Sequence, residues 1–171
     1  GDHSARFVRP VHWIVAVYDK QVIPFELFGI RTGDTTYGHR FMSPEPVRVA
    51  GFEDSVSKLR GSYVLTLIDE RRRSIEKELK RISDEKNASV VSDTWLLEHV
   101  ANLVEWPVAL AGKFDESYLE LPREVLVTTM RDHQKYFVLE DEKGELLPAF
   151  VTIANMMVPD WEVVTRGNER V

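Results

Sequence analysis

The sequence predicts an α+β fold: a mixed, largely antiparallel sheet with hairpins near both ends of the chain and about three to four packed helices. Two hairpin signals and one amphipathic helix carry that expectation. Near the N-terminus, two apolar, β-rich runs flank the polar break Asp19-Lys20-Gln21. Near the C-terminus, residues 136–140 and 147–154 flank the turn signal Asp141-Glu142-Lys143-Gly144. Between them, residues 69–86 place Ile75, Leu79 and Ile82 on one helical stripe. A purely parallel α/β sheet needs long crossovers instead of hairpins at both ends.

In order, residues 1–4 resemble a cloning scar and stand outside fold reasoning. Residues 5–160 are expected to form a single α+β domain, and residues 161–171 to begin the connection to a further domain. Residues 11–18 and 22–30 read as the strands of the first hairpin, with Pro24 marking an edge or an irregular start. Residues 32–44 show neither helical nor strand period and read as a loop. Within it, Gly33 and Gly38 allow close backbone approach. Residues 46–50 read as a short strand, 52–59 as a helix stopped by Gly61, and 63–68 as another strand.

In the helix at 69–86, Asp69 is the expected N-cap. Asp69 with Arg73 and Glu76 with Lys80 form i,i+4 pairs worth ~0.2–0.5 kcal/mol each. Val90-Val91 is too short to assign. Asp93 or Thr94 caps a second helix whose apolar face is Leu96, Leu97, Val100, Leu103 and Val104. Residues 106–112 read as a strand and 114–121 as a turn holding one helical turn. Pro122 suits the first position of a third helix running to Asp132, because its missing N–H is unpaired there anyway. Residues 166–171 read as a loop leading into a helix, which makes the chain look like a piece of something longer.

Composition narrows the function classes. The 43% hydrophobic content supports a real core, and 171 residues suit one domain. The absence of cysteine excludes disulfides and thiolate metal sites and fits a reducing cytoplasm. No apolar run is long enough to cross a bilayer, so no membrane partner is expected. A formal charge of −6 argues against a strongly basic nucleic-acid clamp but leaves room for a local basic patch.

No catalytic constellation is expected. His12, His39, His99 and His133 lack metal-ligand spacing, and neither a phosphate-binding loop nor a nucleophile elbow occurs. Asp132 and His133 are adjacent, but neighbouring residues rarely face one another, and no nucleophile stands beside them. Two polar clusters remain. His39 and Arg40, with Arg31 just upstream, sit in the 32–44 region; there a phosphate contact competes with a rigidified loop, depending on whether Arg40 points outward or toward Asp34. Arg131, His133 and Lys135 sit at a helix-to-strand junction beside Tyr136 and Phe137. Cations there suit phosphate and aromatics suit bases, but basic residues also favour helix C-termini for structural reasons.

Four motifs then recur in order: Arg6-Phe7-Val8-Arg9-Pro10-Val11-His12-Trp13-Ile14, Thr35-Thr36-Tyr37-Gly38-His39-Arg40-Phe41, Asp132-His133-Gln134-Lys135-Tyr136-Phe137 and Arg166-Gly167-Asn168-Glu169-Arg170-Val171. With Glu105-Trp106-Pro107-Val108-Ala109-Leu110 between them, the chain resembles the beta subunit of the bacterial heterotetrameric glycyl-tRNA synthetase. The resemblance implies an internal module similar to the B3/B4 domain of phenylalanyl-tRNA synthetase. It implies partners in tRNA-Gly, the alpha subunit and the rest of the beta chain, in the cytoplasm. It places glycine and ATP chemistry in the alpha subunit, with no cofactor in this segment. Arg31, His39, Arg40, Arg131, His133 and Lys135 become its candidate tRNA contacts. The alternative is a retained or vestigial editing pocket in which Thr128, Thr129, His133 and His39 position water or an ester. Glycine's small size reduces the need for such a second sieve.

Overall fold

The structure is a computed structural model that describes residues 10–157 and 161–169. Residues 6–9, 170 and 171 of the recurring motifs, and the segment 1–4, lie outside the described residues. Contacts gather the chain into two compact units, one ending at Thr66 and one starting at Leu67.

The first unit holds seven short strands: β1 (Ile14–Val15), β2 (Val17–Tyr18), β3 (Gln21–Val22), β4 (Glu26–Leu27), β5 (Ile30–Gly33), β6 (Thr35–Tyr37) and β7 (Pro46–Arg48), followed by α1 (Phe52–Gly61). The expected N-terminal hairpin exists, with Val17 opposite Val22 and Tyr18 opposite Gln21. Its turn is the pair Asp19-Lys20, both at positive φ (46° and 63°), the geometry that matches strand twist in a two-residue loop. The second run does not continue as one strand. Phe28 and Gly29 also take positive φ (53° and 78°), folding the chain into a further hairpin, β4–β5. β5 then lies parallel to β1, giving the order β1-β5-β4. At the break beside Pro24, the Thr32 hydroxyl donates to the Ile23 carbonyl at 2.7 Å and accepts from the Phe25 N–H at 3.0 Å.

The region 32–44 is therefore not one loop. Its first part is strand, and β6 pairs with β7, Thr35 opposite Arg48. The β signal there lies in residue type, since Thr and Tyr suit a pleated strand, and not in polar alternation. Residues 63–68 are not a strand either. Tyr63 takes φ 61° and the N–H of Val64 bonds back to the Leu59 carbonyl, so the segment closes α1.

The second unit comprises α2 (Ile68–Lys86), β8 (Ser89–Val90), α3 (Thr94–Leu103), β9 (Val108–Lys113), a 3₁₀ turn (Glu116–Glu120), α4 (Arg123–Thr128), a π turn (Thr129–Gln134), β10 (Phe137–Glu140), β11 (Leu146–Ala154) and α5 (Trp161–Glu169). Its strands form one antiparallel sheet in the order β8-β10-β11-β9. Ile75, Leu79 and Ile82 of α2, with Leu96, Val100 and Ala101 of α3, meet Phe137, Leu139 and Val151 of the sheet in one core. Each large aliphatic side chain taken out of water there contributes about 1.5–3 kcal/mol. The class is thus α+β, mostly antiparallel, with hairpins near both ends.

Several local expectations need correction. Asp69 does not cap α2; Leu67 holds the cap position without a side-chain bond, and Asp69 pairs with Arg72 at 2.8 Å. Further along α2, Arg81 pairs with Glu78 and Glu85, and Lys80 with Asp84, because i,i+3 and i,i+4 partners are equally within reach. Pro122 stands at the cap of α4, one residue before the helix proper. Residues 166–169 belong to α5 and are not a loop. Asp93 does cap α3, accepting the Leu96 N–H at 2.8 Å.

Candidate nucleic-acid interface

Two of the six candidate residues converge on an aromatic ring that the sequence reading left out. α3 starts at the Asp93 cap, which puts Trp95 in its first turn and half in solvent, at 49% exposure. One turn on, His99 stacks with Trp95, centroids 5.1 Å apart and planes 18° from parallel. The π turn after α4 delivers Arg131 and Lys135 to the same ring. The Arg131 guanidinium lies 5.1 Å and the Lys135 ammonium 4.9 Å from the Trp95 centroid, within cation–π range.

Both cations are held in place. Arg131 Nε donates to the Asp132 carboxylate at 2.8 Å and lies 3.7 Å from Asp93. The Asp132 hydrogen bond and charge, with a smaller contribution from Asp93, raise the Arg131 pKa above its ordinary value. Lys135 closes the π turn at φ 59° and donates from Nζ to the Asp132 carbonyl at 2.8 Å. His133 is exposed on the same turn. Two cations and two carboxylates nearly cancel, so the cluster offers fixed donors and an aromatic edge more than bulk positive potential.

The other candidates stand apart from this cluster in kind. His39 is buried, at 2% exposure. Its Nδ1 accepts the N–H groups of Phe41 and Met42, each at 3.2 Å, while the His39 backbone N–H donates to the Ser62 carbonyl at 2.8 Å. It organises the loop between β6 and β7 from inside. Arg40 is exposed, with its guanidinium 5.6 Å from the Phe41 ring centroid. Asp34 pairs instead with Arg48 at 3.8 Å. Arg31 is exposed and pairs with Glu26 at 3.4 Å.

A cavity of about 260 Å³ opens on the other side of the π turn, lined by Thr129, Met130, Gln134, Tyr136, Phe150 and Asn168 among others. The Tyr136 hydroxyl bonds the Asn168 side chain at 2.7 Å, and its ring stacks on Phe150 at 4.3 Å. Burial pushes the Tyr136 phenol pKa up. Of the four residues considered for editing, Thr129 lines this cavity, whereas His39 is committed to its loop. Among the described residues, no group of three or more His, Asp or Glu side chains is placed to hold a metal ion. No described helix is long and apolar enough to cross a membrane.

Trp95 and His99 had a sequence signal. They are spaced i,i+4 on α3, beside the buried stripe of Leu96 and Val100. What the sequence lacks is any sign that Arg131 and Lys135 would reach them.

Comparison with known proteins adds a family. The family model described as glycyl-tRNA synthetase beta subunit matches residues 1–171. Relatives named glycine–tRNA ligase beta subunit are 45% identical over 171 residues in Syntrophus aciditrophicus, 43% over 170 in Syntrophotalea carbinolica and 40% over 171 in Listeria monocytogenes. These matches cover 100%, 99% and 100% of this chain, and 25% of each relative. The chain thus spans about a quarter of the length of the curated relatives it matches.

Proposed function

The chain belongs to the glycyl-tRNA synthetase beta subunit family, and from that premise we propose that it is a non-catalytic module supporting tRNA-Gly recognition within a glycine–tRNA ligase. Bond-making, with glycine and ATP, then falls to the alpha subunit, and the whole assembly works in the cytoplasm. The convergence of Arg131 and Lys135 on half-exposed Trp95 supports this reading. Fixed cations position a phosphate backbone, and an exposed indole edge beside them offers stacking or edge contact to an unpaired base.

The electrostatic contribution is small by design. With two cations and two nearby carboxylates, the site engages about one or two phosphates, in keeping with a chain of net charge −6. The test is tRNA-Gly affinity of the intact two-subunit enzyme across a salt series, for Arg131→Ala, Lys135→Ala, Trp95→Ala and Arg40→Ala. Each of the first two lowers the slope of log K against log salt by about 1. Trp95→Ala weakens binding by roughly 1–3 kcal/mol at every salt concentration. Unchanged affinity and charging in all four variants would overturn direct recognition by these residues.

A further inference from the structure

The first unit is poor in core. Among its described hydrophobic residues, Val49 and Leu65 are the buried ones, while most of the exposed large hydrophobics of the chain fall within it. The exposure is ordered. Val15 of β1 is 38% exposed, and Val11 and Trp13, in the segment ahead of it, are 41% and 44% exposed. Leu27 of β4 is 46% exposed, and Ile23 and Phe25, in the irregular segment ahead of it, are each 48% exposed. The Phe25 carbonyl accepts the Thr32 N–H at 3.0 Å, which lines Phe25 up with Thr32 as Leu27 is with Ile30, so Phe25 and Leu27 form one apolar stripe and the run ending at Val15 supplies the other.

Register places Val15 and Leu27 on opposite faces of the β1-β5-β4 sheet. Val15 is opposite Gly33, and Glu26 is opposite Arg31, so these four residues share a face. Leu27 is opposite Ile30, which stands on the other face with Thr32 and Ile14. Apolar side chains exposed on both faces of one small sheet mark both faces as contact surfaces. Tyr37 shields part of one face, its ring 4.7 Å from that of Trp13.

We infer that both faces of the β1-β5-β4 sheet are covered by further apolar segments of the same beta chain, outside these 171 residues. The inference rests on the reading that this segment works inside a longer beta subunit. Three quarters of the length of the curated relatives lies outside the matched segment, so the covering chain exists in them. A separate subunit approaches from one side and would leave the second stripe bare, whereas a continuing chain can pass over both. RNA is a poor occupant, since the one cation on the sheet's middle strand, Arg31, is already paired with Glu26 and the stripes carry no charge.

The experiment uses the full-length beta subunit assembled with its alpha subunit, without tRNA. p-Benzoylphenylalanine replaces Val15 on one face or Phe25 on the other, and the enzyme is assembled from a mixture of isotopically heavy and light beta chains. After irradiation, adducts are mapped by mass spectrometry. The expected result is adducts from both positions to beta-chain peptides outside this segment, heavy to heavy or light to light. Adducts to the alpha subunit, mixed heavy–light adducts, adducts confined to this segment, or no adduct from either face would overturn the inference. Because the readout needs no tRNA, its failure is distinct from a failure of the affinity test on Trp95, Arg131 and Lys135.

Discussion

The ring of Phe150 lies against Gly112, its register partner on the neighbouring strand, so closely that a Cβ at position 112 would overlap Phe150 Cζ. Tyr136 stacks on the same ring at 4.3 Å with planes 9° apart, which limits where the ring can go. Gly112→Ala is therefore expected to destabilise the chain by about 1–3 kcal/mol through overpacking. Adding Phe150→Leu to that variant should restore part of the loss, because neighbours in contact do not act additively. Thermal melts of the two single variants and the double variant measure it. Strict additivity would mean that the ring moves freely.

The loop between β6 and β7 makes a second demand on a small residue. A Cβ at Gly38 would come within 2.7 Å of the Ser43 carbonyl oxygen and 2.8 Å of that of Ser62, and these are backbone atoms. Gly38→Ala should cost at least about 1–3 kcal/mol. His39→Ala should cost a similar amount by leaving the Phe41 and Met42 N–H groups without their acceptor. Amide exchange across residues 38–45 reports both, with faster exchange expected in each variant.

Packing was legible in the sequence, and strand pairing less so. Ile75, Leu79 and Ile82 were legible because burial imposes a period on a helix, and Asp93 because a cap needs a short acceptor. The β4–β5 hairpin was not, because its turn puts Phe28 at positive φ, where glycine or asparagine would have been the signal. At the candidate site, Arg131 and Lys135 were found by charge. Trp95 was not, since its contact with them joins positions far apart in the chain and leaves no local pattern.

Asp93 serves both α3 and Arg131, and the two roles can be separated. Asp93→Ala removes the cap, at a cost of about 1 kcal/mol, whereas Asp93→Asn keeps it. Both remove the carboxylate charge 3.7 Å from Arg131. Chemical denaturation should therefore distinguish the two variants, while on the proposed function both should strengthen tRNA-Gly binding of the intact two-subunit enzyme modestly at low salt. Weaker binding in Asp93→Asn would show that the charge serves to hold Arg131 in place.

The turn between β10 and β11 gives a pH dependence of defined sign. Asp141 accepts the N–H groups of Lys143 and Glu145 at 2.8 and 2.9 Å, and the Glu145 backbone bond is the leading cause lowering its pKa. A carboxyl depressed in the folded state contributes fully above its unfolded pKa and loses that contribution as pH falls through the folded value. Amide protection of Lys143 and Glu145 should therefore hold at neutral pH and decline below about pH 4. Asp141→Asn, followed by NMR over the same range, should abolish that decline.

The π turn at Thr129–Gln134 carries one residue more per turn than an α-helix would. A one-residue deletion in a regular α-helix would rotate everything downstream by about 100°. Here the surplus residue can be lost by closing the turn to α-helix, with the strand that follows kept in nearly the same phase and Tyr136 kept on Phe150. The turn thus acts as a slack in the chain: the direction of Arg131, which lies inside it, depends on the extra residue, while the direction of the strand beyond does not.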